Sequence, residues 1–174
     1  MTTADPVSGV VVRVPVPPSL DRLRRHDDRA ASAGAPAHVT LLFPFMPVAE
    51  LRTPVRRALA ELAAAVEPFE ARFASVGRFP GVVYLEPEPM GPFTALTEAI
   101  ARRFPDYQPY DGAFDEVIPH LTLVESPTAP LDRIAATAQR HLPFTRRVAT
   151  IEVLVEGPDE RWRSHWRIML GSGR

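Results

Sequence analysis

The stretch Ala37-His38-Val39-Thr40-Leu41-Leu42-Phe43-Pro44-Phe45 decides how this chain is read, because its centre returns at Pro119-His120-Leu121-Thr122-Leu123-Val124. Both are apolar, β-favouring runs (Ala37 to Phe45 and Val117 to Val124), with a proline just upstream of each histidine (Pro36, Pro119). In an extended strand, side chains two apart point to one face. His38 and Thr40 therefore share a face, as do His120 and Thr122, while Val39, Leu41, Leu121 and Leu123 point the other way. A His-x-Thr-Leu string arises by chance at roughly 1 in 10,000 positions, so two copies in one small chain are unexpected. An imidazole beside a hydroxyl, presented twice, suits acid–base chemistry on a phosphate.

Working outward, Ser8 to Val16 reads as a strand with Val10, Val12, Val14 and Val16 on one face and Arg13 on the other. A short helix over Leu20 to Arg25 follows, with Ser19 as its N-cap, and His26 to Pro36 reads as a loop. Apolar residues at Leu51, Val55, Leu59, Leu62 and Val66 keep the helical period, and Thr53-Pro54 marks a helix start, giving a helix from Pro54 to Val66. Phe69 to Phe79 and Val82 to Glu86 are expected strands around a Pro80-Gly81 turn. Phe93 to Phe104 reads as a helix ended by Pro105, and Asp106 to Asp115 as a loop. Leu131, Ile134, Ala135 and Ala138 mark a third helix, and Val148 to Val155 with Trp162 to Leu170 a terminal hairpin.

Strand, helix, strand, strand thus occurs twice, with the motif histidines 82 residues apart. Outside the motifs the halves share little sequence, so the repeat is one of architecture. The expected arrangement is a single domain over residues 1–174, built of two lobes with the motif strands meeting at the cleft between them.

Composition sets the outer limits. With 174 residues and 45% hydrophobic content, the chain can bury one real core. It has no cysteine, which excludes disulfide and thiolate chemistry and makes a cytoplasmic setting the expectation. The N-terminus lacks the basic and long apolar regions of a signal peptide, and no apolar run reaches membrane-spanning length, so no membrane partner is expected. The net charge of −1 lacks the basic excess that a grip on long duplex nucleic acid needs. It favours a small phosphorylated nucleotide or an RNA end. All 20 basic residues are arginine, a bias that a G+C-rich genome explains.

The two His-x-Thr-x motifs on this mixed background resemble those of the two-histidine (2H) phosphoesterases, which include the 2'-5' RNA ligase-like and cyclic phosphodiesterase proteins. The resemblance extends over most of the chain, from Ser8 to Leu170. It implies an α+β fold of two lobes related by a pseudo-two-fold, with two antiparallel sheets facing a central cleft and helices packed outside. It also implies a metal-independent enzyme, with no cofactor, that opens 2',3'-cyclic phosphates. His38 and His120 are the expected acid and base, and Thr40 and Thr122 the expected substrate-binding hydroxyls. RNA 2'-5' ligation, or nucleotide or RNA binding without turnover, is the alternative on the same fold, and a monomer is expected. One departure stands out: many relatives carry a basic residue soon after the second motif, where this chain has Val124-Glu125-Ser126.

Other side chains are weaker candidates. His26 reads as solvated, His141 as a helix-terminal residue, and His165 as structural or at the rim. His26-Asp27-Asp28 alone does not make a metal site, which needs several converging ligands. Arg13, Arg78, Arg163 and Arg167 are candidate phosphate-binding cations. Phe43, Phe79 and Tyr84 are candidate base-stacking rings, although Phe43, opposite in strand parity to His38, is expected in the core.

Overall fold

The computed structural model describes residues 6–171; the N-terminal segment Met1–Asp5, read above as no signal peptide, and residues 172–174 lie outside them. In chain order the elements are β1 (Ser8–Arg13), α1 (Pro18–Asp27), α2 (Arg29–Ser32), β2 (His38–Leu42), α3 (Thr53–Ala64), β3 (Phe69–Phe79), β4 (Val82–Glu88), α4 (Gly91–Arg103), β5 (Leu121–Glu125), α5 (Leu131–Gln139), β6 (Phe144–Val148), β7 (Thr150–Glu156) and β8 (Trp162–Met169). Short 3-10 turns occupy Val48–Glu50 and Pro109–Gly112.

All strand pairs are antiparallel, in the spatial order β6-β3-β4-β5-β2-β1-β7-β8. The motif strands β2 and β5 lie side by side at the centre, each leading outward into three further strands. The halves expected as two sheets are thus joined into one, through a single bridge between Val39 and Leu121. Chain order and spatial order differ. The strands that follow the first motif, β3 and β4, flank the second motif strand, while β1, β7 and β8 complete the half containing β2. The second copy of the pattern has three strands after its helix where the first has two, because Phe144–Val148 forms β6 on the far edge of β3.

Local chemistry accounts for the boundary differences. Pro18 occupies the first turn of α1 and Pro17 its cap position, so Ser19 lies inside the helix and caps nothing. In the segment read as a loop, Asp28 accepts the Ala31 amide at 2.8 Å and starts the short helix α2. Pro119 has no amide to donate to a ladder, and β5 begins only at Leu121, with His120 at its edge.

The apolar side of the centre packs as the alternation requires. Val39, Leu41, Leu121 and Leu123 are at most 1% exposed and join Leu59 of α3, Leu96 and Ile100 of α4 and Ile134 of α5 in one core. Burying a side chain of this size contributes about 1.5–3 kcal/mol. α1 and α2 border the opposite, polar side of β2 and β5. Among the described residues, no helix is long and apolar enough to cross a membrane.

Candidate active site

The polar face of the two motif strands forms the floor of a cavity of about 230 Å³, lined by His38, Thr40, His120 and Thr122 together. The two half-sites legible in the sequence therefore converge. Each imidazole is held in the same way: His38 Nδ1 lies 2.7 Å from the Pro36 carbonyl oxygen, and His120 Nδ1 lies 2.7 Å from that of Ile118. A carbonyl can only accept, so each Nδ1 carries a hydrogen and donates it. In the neutral ring Nε2 is then a bare lone pair, and in the charged ring it is a donor. Either ring can take or give a proton at Nε2 without turning over.

Both histidines titrate below the ordinary imidazole range, and burial is the largest cause for each. Their surroundings then differ. At His38 the Pro36 hydrogen bond and the Asp28 carboxylate act upward against the burial, while the Arg24 guanidinium and the neighbouring His120 act downward. At His120 the Ile118 hydrogen bond and the Glu125 carboxylate both act upward.

Among the described residues, Arg24 is the cation that lines this cavity, and the sequence patterns do not single it out. It is 3% exposed. Its Nε donates to the Thr122 carbonyl and its Nη2 to that of Pro36, each at 3.4 Å, while Nη1 lies 3.6 Å from Asp21. The available signal was an arginine four residues after Leu20, on the apolar face of α1. The four arginines proposed from sequence do not line the cavity. Arg78 pairs with Asp132, Arg163 with Asp159 and Arg167 with buried Glu152, while Arg13 pairs in register with His38 but borders a separate groove.

Two matched bulges explain the remaining lining. On β1, Val11 pairs with Thr40 and Val10 with Leu42, leaving Leu41 unpaired. On β4, Tyr84 pairs with Thr122 and Val83 with Val124, leaving Leu123 unpaired. An extra residue resets the alternation. Leu41 and Leu42 are both buried, as are Leu123 and Val124. The next residue along the chain, Phe43 just past β2 or Glu125 at the end of β5, consequently turns to the cavity. This corrects the expectation that Phe43 packs in the core. Its ring lies over Gly9, where an added Cβ would come within 3.1 Å of it, and meets Trp162 edge-to-face at 5.9 Å.

Phe79 and Tyr84, the other proposed stacking rings, do not line the cavity. They stack on each other at 4.3 Å and present themselves to the His120 ring at 5.3 and 5.4 Å. Tyr84 lies across Gly77, its partner in the β3–β4 ladder, and a Cβ at Gly77 would overlap the tyrosine ring. Gly77→Ala is therefore expected to cost about 1–3 kcal/mol of stability through overpacking. It should also shift the His120 imidazole resonances in NMR; unchanged resonances with a lowered Tm would show that the aromatic wall does not orient the ring.

Tyr110, from the loop between α4 and β5, closes another side. Its amide donates to the Phe43 carbonyl. Burial, with a smaller contribution from Glu125, keeps its phenol above the ordinary value. His26, His141 and His165 are all exposed. Among the described residues, no group of three or more histidine, aspartate and glutamate side chains is placed to hold a metal ion.

Comparisons agree with this geometry. A search of curated proteins finds no match. Among solved structures, TT0787 of Thermus thermophilus superposes with a TM-score of 0.63 at 20% identity, covering 97% of this chain and 100% of that one. E. coli LigT superposes in its complex with phosphate (TM-score 0.57, 17% identity, 96% and 99% covered) and in its complex with 3'-AMP (0.56, 17%, 95% and 98%). At such identities the likeness establishes a shared fold. The sequence itself matches the family model of the 2'-5' RNA ligase superfamily over residues 12–160, and on that match the chain belongs to the 2'-5' RNA ligase superfamily.

Proposed function

We propose that this chain is a phosphodiesterase that opens a 2',3'-cyclic phosphate on a nucleotide or RNA end, with His38 and His120 as acid and base. The observation that carries this reading is the pair of imidazoles in one cavity, each tethered through Nδ1 so that only Nε2 can exchange protons. In the reaction, water attacks phosphorus and loses a proton to one neutral imidazole. The bond from phosphorus to one ribose oxygen breaks, and the other imidazole, initially protonated, supplies that oxygen's proton. The product is a phosphomonoester beside a free hydroxyl. Thr40 and Thr122 donate to the non-bridging oxygens, where charge builds in the transition state.

The complexes of E. coli LigT with phosphate and with 3'-AMP support a small phosphorylated ligand on this fold. At about 230 Å³ the cavity is smaller than the roughly 300–1,000 Å³ of pockets that enclose a drug-sized ligand. It suits a phosphoribose, with the base at the mouth against Trp162 and Phe43. The direct test is turnover of a panel of 2',3'-cyclic nucleotides in EDTA, with the released phosphomonoester identified by chromatography. Absence of turnover across the panel would overturn the hydrolase reading.

The pH profile follows from the two depressed imidazoles. Activity requires one ring protonated, and both rings lose their protons below the ordinary value of about 6.5. On raising the pH through neutrality the doubly deprotonated, inactive form accumulates. The expected kcat/KM profile is a bell with its maximum on the acid side of pH 6.5; a maximum at pH 8 would contradict the burial of the rings.

A further inference from the structure

The bulge at Leu123 turns Glu125, two residues beyond the second motif, onto the cavity wall. The other charges on that wall are already engaged. Asp28 accepts two amides, from Glu125 at 3.0 Å and Ala31 at 2.8 Å. The Arg24 guanidinium is taken up by two carbonyls and by Asp21. Among the described residues, the Glu125 carboxylate has no hydrogen-bonded or ion-paired partner, and it is exposed to the cavity's solvent. With neutral imidazoles, the wall therefore carries one guanidinium against two carboxylates, one of them free.

From this arrangement, and resting on the phosphate-site reading above, we infer that Glu125 makes the site charge-selective: it admits a singly charged phosphodiester and rejects a doubly charged phosphomonoester. A cyclic phosphate is a monoanion at neutral pH. Its hydrolysis product is mostly a dianion, because the second phosphate pKa is about 6. A fixed negative charge beside the phosphate opposes the product more than the substrate, since Coulomb repulsion scales with ligand charge and is strengthened in a partly desolvated cleft. The residue thus directs the enzyme to diester ends over ends bearing a terminal monophosphate, and it speeds departure of the product. An arginine at the same place would do the reverse.

The test compares two ligands that differ in one charge, adenosine 3'-monophosphate and its 3'-methyl ester, by calorimetry at pH 8 and pH 5. For the wild type we expect the ester to bind about tenfold tighter at pH 8, with the preference shrinking at pH 5 as the monoester gains a proton. In Glu125→Gln the preference at pH 8 should fall to near parity, and in Glu125→Arg it should reverse. Equal affinities in the wild type, or a preference unchanged in Glu125→Gln, would overturn the inference. The readout needs no turnover, so the two readings fail separately. A protein that opens cyclic phosphates but binds both ligands alike loses only the charge selectivity. One that binds neither loses the phosphate site and, with it, the selectivity.

Discussion

Changing either His38 or His120 to alanine is expected to lower kcat for cyclic-phosphate opening by about a thousandfold or more, with the fold intact. General acid–base groups each contribute typically 10²–10⁴-fold. Here both act in one step, so the double variant should be little worse than either single one. Folding should survive because each ring is half-buried and its one hydrogen bond is to a carbonyl that keeps other partners or solvent. A stability profile separates the chemical role from a packing role. In the folded chain both rings have depressed pKa values, so on acidification the unfolded state binds protons first. Stability is therefore lost as the pH falls below about 6.5 and onward through the folded-state values. The alanine variants should lose less stability over that interval than the wild type does. Loss of activity matched by a collapse in Tm at neutral pH would instead make the histidines structural.

The fold is legible in the sequence where a local pattern decides the outcome. Two strands with His and Thr on one face and Leu or Val on the other, each beside apolar strands, are found as expected, and so are α3, α4 and α5. It is not legible where the answer depends on a partner strand. Strict alternation puts Phe43 in the core and leaves the direction of Glu125 open. Both turn on bulges whose trace in the sequence is the doubled apolar pair after the threonine, Leu41-Leu42 and Leu123-Val124. Which half each strand joins is equally non-local, because β3 and β4 follow the first motif yet pair beside the second. Arg24 escaped for a different reason. An arginine on a short helix is usually solvated, and only the approach of α1 to β5 encloses this one.

That enclosure gives Arg24 the second large expected effect. The seam between β2 and β5 has a single ladder bridge, at Val39 and Leu121. Arg24 spans the same seam from above, donating to Thr122 on β5 and to Pro36 just before β2. The Pro36 carbonyl also anchors His38, so the guanidinium ties the two half-sites together and fixes one of the imidazoles. Arg24→Met keeps the apolar stem but removes both donors and leaves Asp21 without this partner. Asp21 is about a third exposed and keeps Arg25 at 2.8 Å, so the cost is that of two carbonyls losing a buried donor, and a loss of about 2 kcal/mol in urea melts is expected. Arg24→Lys retains the charge without the planar fork and should recover only part of the loss. In the same variants kcat should fall more than KM rises, because the imidazole geometry, and not the cavity wall, is disturbed. Removing the cation also lets the His38 pKa rise, so the limb of the rate profile that His38 sets should move to higher pH in Arg24→Met and stay closer to the wild type in Arg24→Lys. A variant with wild-type melting and an unmoved rate profile would show that the lone Val39–Leu121 bridge and its surrounding core hold the two motifs in register without the arginine.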